Sequence, residues 1–222
     1  MKELVILDLD GTIIKGQSQL LFLNFLLKKR IIGLFFYIRI YLWFLFYKLG
    51  FLKNSEEVVD IMNYSFSFLK GKKREYVEGL VNDFFNKNIK EFIFSEMTDI
   101  INKHKSEGRE LLIISNSVDV IVGKVAEFLG ISNYIGTKLE LVDGKFTGKI
   151  LGGIVYGKNK IIFAKDFIEK NNLDFKNSWV YTDHISDLDL MALSSNPHAV
   201  NPDKLLKAET KKRNWPILMF KK

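Results

Sequence analysis

The chain opens on an apolar run, Val5-Ile6-Leu7, that continues through Leu9 and stops at Asp10-Gly11. A short apolar run bounded by glycine reads as a buried strand of a parallel sheet, here over about residues 3–9. Leu111-Leu112-Ile113-Ile114 predicts a second core strand over 110–115, after a helix that ends near Glu107-Gly108. Residues 119–129 carry helical periodicity and Gly130 closes them as a C-terminal cap. The alternation from Thr137 to Ile150 around Asp143-Gly144 is a hairpin signal. Then follow a helix over 158–171, a strand over 178–183, a helix over 186–194, a short strand near 198–200, a helix over 203–213 and a terminal strand over 217–220. This alternation implies right-handed βαβ units: an α/β fold, with a Rossmann-like parallel sheet and helices on both faces.

The stretch between the first two strands has a different pattern. Residues 15–88 are aromatic-rich and helical, so the expected organisation is a core of 1–14 and 90–222 with an all-helical cap inserted at 15–89. From Ile31 to Tyr47 the only charge is Arg39, and Lys28-Lys29-Arg30 and Lys48 bracket the run. A helix that is apolar all round is either buried or faces lipid. Spanning a bilayer takes about 20 residues, and a single span would put the two halves of the core on opposite sides. A simple transmembrane helix is therefore rejected. Two readings stay open: a hairpin packed inside the insertion, or one dipping into the membrane interface from one side.

Composition narrows the picture further. At 222 residues and 47% hydrophobic, the chain can bury a core plus an insert. It has no cysteine, which removes disulfide and zinc–thiolate frameworks and suits a reducing cytoplasm. The N-terminus enters a strand at once, so no signal peptide is expected. The net charge of +7 is dispersed rather than gathered into one footprint, and no nucleic-acid-binding motif is present. A positive excess suits anionic substrates or anionic membrane surfaces.

The chemistry begins at the end of the first strand. Asp8 and Asp10 are two residues apart and leave a strand on the same face. Gly11 allows a sharp exit that puts both at the C-terminal sheet edge, where open α/β sheets bind ligands. Adjacent carboxylates repel, so such a pair holds a hard cation such as Mg²⁺, a proton, or both.

The octet Val5-Ile6-Leu7-Asp8-Leu9-Asp10-Gly11-Thr12 resembles motif I of the haloacid dehalogenase superfamily, hhhhDxDGT. Three further segments fit that superfamily's parts in order: Ile113-Ile114-Ser115-Asn116, Gly157-Lys158-Asn159-Lys160, and Thr182-Asp183-His184-Ile185-Ser186-Asp187. The ending Val200-Asn201-Pro202-Asp203, then Leu205-Leu206, then Asn214-Trp215-Pro216 is similar to that of subfamily IB, the phosphoserine-phosphatase-like hydrolases. The resemblance implies that Asp8 is a nucleophile that forms an aspartyl phosphate and that Asp10 is a general acid and base. It implies that Ser115 and either Lys160 or Lys158 hold phosphoryl oxygens, the Gly-x-x-Lys spacing favouring Lys160. It implies Mg²⁺ held by Asp8, the Asp10 carbonyl and Asp183, with Asp187 supporting Asp183 or the lysine. Gly11, Thr12, Gln17 and Asn116 are expected against the substrate.

Smaller expectations follow for the last segment. Ser186 is expected to cap the following helix, Asp189 to be a first-turn acid, and His184 to be a partly exposed loop residue. Gln17 stands where phosphoserine phosphatases carry a substrate-contacting Glu, which argues against phosphoserine as the substrate. The substrate expected is a phosphorylated small molecule, with a lipid phosphate at the membrane surface as the alternative. A basic triplet followed by an apolar stretch is similar to the layout of the subfamily's phosphatidylglycerophosphatase members. A phosphomutase and a non-catalytic scaffold complete the alternatives. The chain is expected in the cytoplasm, peripheral at the inner membrane if the cap docks there.

Overall fold

The computed structural model describes residues 2–48 and 55–221. Strand β1 (Leu4–Leu7) is buried at every position. A strand covered on both faces has no polar side to present, so its sequence does not alternate. Leu4 and Ile6 join one apolar cluster and Val5 and Leu7 the other, as period-two side chains must when helices cover both faces.

The sheet has seven strands among the described residues. Beside β1 lie β2 (Glu110–Val118) and β5 (Ser178–Thr182), both parallel to it. Beyond β2 come β3 (Asn133–Val142) and β4 (Lys145–Leu151), and beyond β5 come β6 (Asn196–Val200) and β7 (Ile217–Leu218). The order is β4-β3-β2-β1-β5-β6-β7, and only β3–β4 is antiparallel. That hairpin turns on Asp143 (φ 50°) and Gly144 (φ 71°), the two left-handed positions that a two-residue loop needs.

Helices α5 (Ser95–Ser106), α6 (Asp119–Leu129), α7 (Lys158–Lys170), α8 (Leu188–Leu193) and α9 (Lys204–Lys212) link the strands. Helix α6 has the bounds that its periodicity predicts, and Gly130 caps it in the left-handed region.

The segment between β1 and β2 holds α1 (Ser18–Lys28), α2 (Leu34–Lys48), α3 (Ser55–Phe66) and α4 (Arg74–Phe84). The chain leaves and re-enters the core through one paired crossing. Lys15 N–H donates to Phe92 O at 2.7 Å and Phe94 N–H to Ile13 O at 3.0 Å. The β3–β4 hairpin also braces the helices. Gly71 N–H donates to Phe146 O at 2.8 Å, Phe146 N–H to Lys72 O at 2.9 Å and Ile150 N–H to Asn63 Oδ1 at 2.9 Å.

Several boundaries move. Strand β3 starts at Asn133 rather than near 137, because Asn133–Ile135 pair in register with Leu112–Ile114. Helix α8 starts at Leu188 rather than 186, after a 3₁₀ turn over Ile185–Asp187. Ser186 is therefore inside that turn and is not a helix cap. His184 caps the 3₁₀ turn, its Nδ1 accepting from Ser186 N–H at 3.2 Å, and α8 itself begins without a side-chain cap. Helix α2 is neither buried all round nor a span. Ile40 is buried, while Leu34, Ile38, Leu42 and Leu45 are exposed and Phe35 is 92% exposed. No helix among the described residues is long and apolar enough to cross a membrane.

Candidate active site

The parallel register decides which residues meet. Leu7 pairs with Ile113 on one side and Tyr181 on the other. The chain beyond those pairs therefore brings Asp8, Ser115 and Asp183 to the same carboxyl edge, where ligands bind in open α/β sheets. The Asp8 N–H continues the ladder to Tyr181 O at 2.9 Å, which fixes the backbone from which its side chain projects.

Lys160 ties this edge together. It is the third residue of α7 and is 4% exposed, an unusual burial for lysine. Its Nζ donates to Asp8 Oδ1 at 2.7 Å and to Asp187 Oδ2 at 2.6 Å. Thr182 Oγ1 donates to the same Asp187 oxygen at 2.7 Å. Burial alone would lower the Lys160 pKa, but the Asp187 and Asp8 carboxylates more than reverse this and hold the ammonium charged. Lys158 is exposed. Of the two lysines, the structure brings Lys160 to the aspartates.

Asp10 has different partners. Ser18 at the start of α1 donates its N–H to Asp10 Oδ1 at 2.7 Å and its hydroxyl to Oδ2 at 3.1 Å. Ser18 Oγ also lies 2.8 Å from Ser117 Oγ. Burial pushes Asp10 up to about 7, against the pull of the Ser18 bonds. Such a group can hold or release a proton near neutrality. Burial also raises Asp8, with Lys160 pulling the other way. Burial, then the charges of Asp8, Asp10 and Asp187, push Asp183 up to about 9.

Carboxylates crowded in this way are offset by protons, by Lys160 or by a cation. Asp8, Asp183 and the Asp10 carbonyl are hard oxygen donors of the kind that suits Mg²⁺. Among the described residues, no three Asp, Glu or His side chains are already gathered as a metal cage. Two carboxylates and a carbonyl would leave the other positions to water, as Mg²⁺ prefers. The Asp10 carboxylate is engaged by Ser18 and that of Asp187 by Lys160 and Thr182.

The other expected residues fall at two places. Gly11 has φ +77°, and a Cβ on it would lie 2.0 Å from Asp183 Oδ2, so only glycine lets Asp183 approach. Its N–H is used locally, on Ile14 O at 2.8 Å and Gly16 O at 3.1 Å. Thr12 is fully buried, and its Oγ1 has no hydrogen-bond partner among the described residues. Ser115 is also fully buried and its Oγ accepts from Ser117 N–H at 3.1 Å. Gln17 and Asn116 line a cavity between α1, α2, α3 and the sheet edge.

The sequence reading missed Ser18, Ser117 and Thr182. A serine beginning the first helix after the Asp-x-Asp-Gly loop was the available signal for Ser18.

This arrangement has a known counterpart. The model of the haloacid dehalogenase-like hydrolases matches residues 5–192. This chain belongs to that family.

Among its relatives, a probable phosphatase of Mycobacterium tuberculosis is 31% identical over 144 residues, covering 65% of this chain and 50% of that protein. The chain thus spans about half the length of that relative. A histidinol-phosphatase of Neisseria meningitidis serogroup C is 29% identical over 235 aligned residues, covering 100% of each. A crystal structure from Bordetella pertussis, of a protein with unknown function, has the same fold at a TM-score of 0.87 and 18% identity, covering 98% of this chain and 99% of that one. A substrate-bound phosphoserine phosphatase also shares the fold, with a TM-score of 0.70 at 18% identity over 98% of this chain and 93% of that one.

Proposed function

We propose that this hydrolase is a Mg²⁺-dependent phosphomonoesterase that works through an aspartyl phosphate on Asp8. The observation that carries the proposal is the buried Lys160 ammonium, which bridges Asp8 and Asp187 at the edge that Asp10, Asp183 and Ser115 share. The phosphatase names of the mycobacterial and neisserial relatives support it.

In this reading the Asp8 carboxylate attacks phosphorus and displaces the alcohol. Lys160 keeps Asp8 oriented and offsets charge on the phosphoryl oxygens, to which the Ser115 hydroxyl donates. Asp10 gives its proton to the leaving oxygen, then takes one from the water that opens the acyl phosphate. Ser18 holds Asp10 in place through both steps. A Mg²⁺ ion on Asp8, Asp183 and the Asp10 carbonyl would neutralise phosphoryl charge. Positioning and electrostatics suffice for a loose phosphoryl-transfer transition state.

Two measurements test this together. Phosphate release from an aryl phosphate is expected with Mg²⁺ and not in EDTA, and beryllofluoride is expected to inhibit it. Thermal melts give a second readout. The folded carboxylates keep protons that the unfolded chain has already lost, because Asp10 is pushed up to about 7 and Asp183 up to about 9. The metal-free fold therefore loses stability as pH rises from about 4 through 9. Mg²⁺ on Asp183 would take the place of the Asp183 proton, so its stabilisation is expected to be larger at pH 8 than at pH 6. Full activity in EDTA would remove the metal from the mechanism.

A second reading, a phosphatase working at a membrane surface, is favoured by α2. Leu34, Phe35, Ile38, Leu42 and Leu45 form an exposed apolar stripe, and Lys28 and Arg30 are exposed just before it. Burying such a stripe in a lipid interface is favourable, and basic residues add attraction to anionic lipid. Sedimentation with anionic vesicles is expected to carry the wild type down, less so at high salt, and not Phe35→Asp. Wild type that stays in the supernatant would leave the soluble reading alone.

A further inference from the structure

The cavity beside the phosphoryl site has a composition that bears on what the phosphate is attached to. Its polar end is Gln17, Gln19 and Asn116, with Gln19 Nε2 donating to Asn116 O at 3.2 Å. These residues are sequence neighbours of Ser18, Ser115 and Ser117, the serines of the Asp10 network. From there the cavity runs between Leu23 and Leu26 of α1, Ile40 and Phe44 of α2, and Met62 and Phe66 of α3. None of the described residues lining it carries a charge. Its volume is about 120 Å³. Apolar cavities of about 150 Å³ stay dry and take up molecules such as benzene.

An ammonium or carboxylate placed there would lose hydration with no opposite charge among the described lining residues to replace it, which is costly. An uncharged apolar group loses nothing polar and gains the burial of its own surface. The amides at the polar end suit ester oxygens close to the phosphate.

Building on the phosphatase reading of the neighbouring site, we infer that the substrate is a phosphomonoester whose organic part is apolar and uncharged next to the phosphate, an alkyl chain or single ring that lodges in this cavity. Phosphates that would have to seat an ammonium or carboxylate in this cavity are disfavoured by the same argument.

Binding separates this inference from the catalytic one, because phosphonates bind without being hydrolysed. Titration calorimetry of the full chain with Mg²⁺ and ethyl-, butyl- and hexylphosphonate should show affinity rising by at least about tenfold across the series, as buried methylenes require. 2-Aminoethylphosphonate should bind no better than ethylphosphonate. Ser65 lines the cavity from α3 and is partly buried. Filling the space with Ser65→Phe should flatten the series. Wild-type affinities that do not change with chain length, tightest binding of the aminoalkyl compound, or no binding of hexylphosphonate would each overturn the inference. Tight hexylphosphonate binding without phosphate release from any monoester would instead sink the phosphatase reading and leave the cavity's preference standing.

Discussion

Replacing Asp8 with asparagine is expected to lower phosphate release by at least about 10³-fold, a loss of roughly 4 kcal/mol of transition-state stabilisation. The side chain keeps its size and shape, so the change acts on chemistry rather than packing. It removes the attacking charge and, in the Mg²⁺-dependent reading, one of two carboxylate ligands. The fold should tolerate it. Lys160 donates to Asp187 Oδ2 at 2.6 Å as well as to Asp8 Oδ1, so its ammonium keeps a partner. Asp183 also loses a repulsive neighbour, Asp8 being the largest charge contribution to its raised pKa. The metal-free variant should therefore melt within a few degrees of the wild type at pH 8. Steady-state rates on an aryl phosphate and a thermal melt check both halves. Turnover near wild type in a purified, folded Asp8→Asn protein would take the nucleophile's role away from Asp8.

What could be read from the sequence and what could not divides along the range of the interaction. Local signals were sound. Gly130 ends α6 as its left-handed cap, and Asp143-Gly144 turns the hairpin. The buried run at β1 ends at Leu7 rather than near residue 9, so the strand's period carries Asp8 at its tip while Asp10 lies beyond it. Register and side-chain contact were out of reach. Nothing local tells that Asn133–Ile135 continue a strand by pairing with Leu112–Ile114. Nothing local tells that the hairpin holds α3 through Asn63.

The two lysines near the start of α7 show the limit most clearly. Both lie in a polar first turn, and what separates them is that Lys160 falls on the helix face of the buried Ala164 and Ile168, while Lys158 lies in solvent. The α2 run failed differently. A segment apolar on every face carries no periodicity, so its pattern could not say which face packs. The structure turns Ile40 inward and leaves Phe35 outside.

Lys160→Met should reduce turnover by at least about 10²-fold, the scale on which one preorganised electrostatic contact acts, whereas Lys158→Met should stay within about twofold. Methionine fills the buried stem but leaves Asp8 and Asp187 facing each other without the ammonium that lies 2.7 Å and 2.6 Å from them. Breaking a buried ion pair from one side costs about 3–5 kcal/mol, roughly 10 °C in Tm for a chain of this length. That cost has a pH signature which a packing defect lacks. Without Lys160, the attraction that pulls the Asp8 pKa down is gone, so burial drives it further up. A carboxylate with a raised folded pKa favours the fold at low pH and loses that contribution as pH rises. The Tm deficit of Lys160→Met should therefore shrink from pH 8 to pH 5, as Asp8 takes up a proton. A deficit that is the same at both values would mean that Lys160 matters for its stem and not its charge. The reverse ranking of the two lysines in turnover would move the phosphoryl contact to Lys158, and α7 would then have to rotate on substrate binding to deliver it.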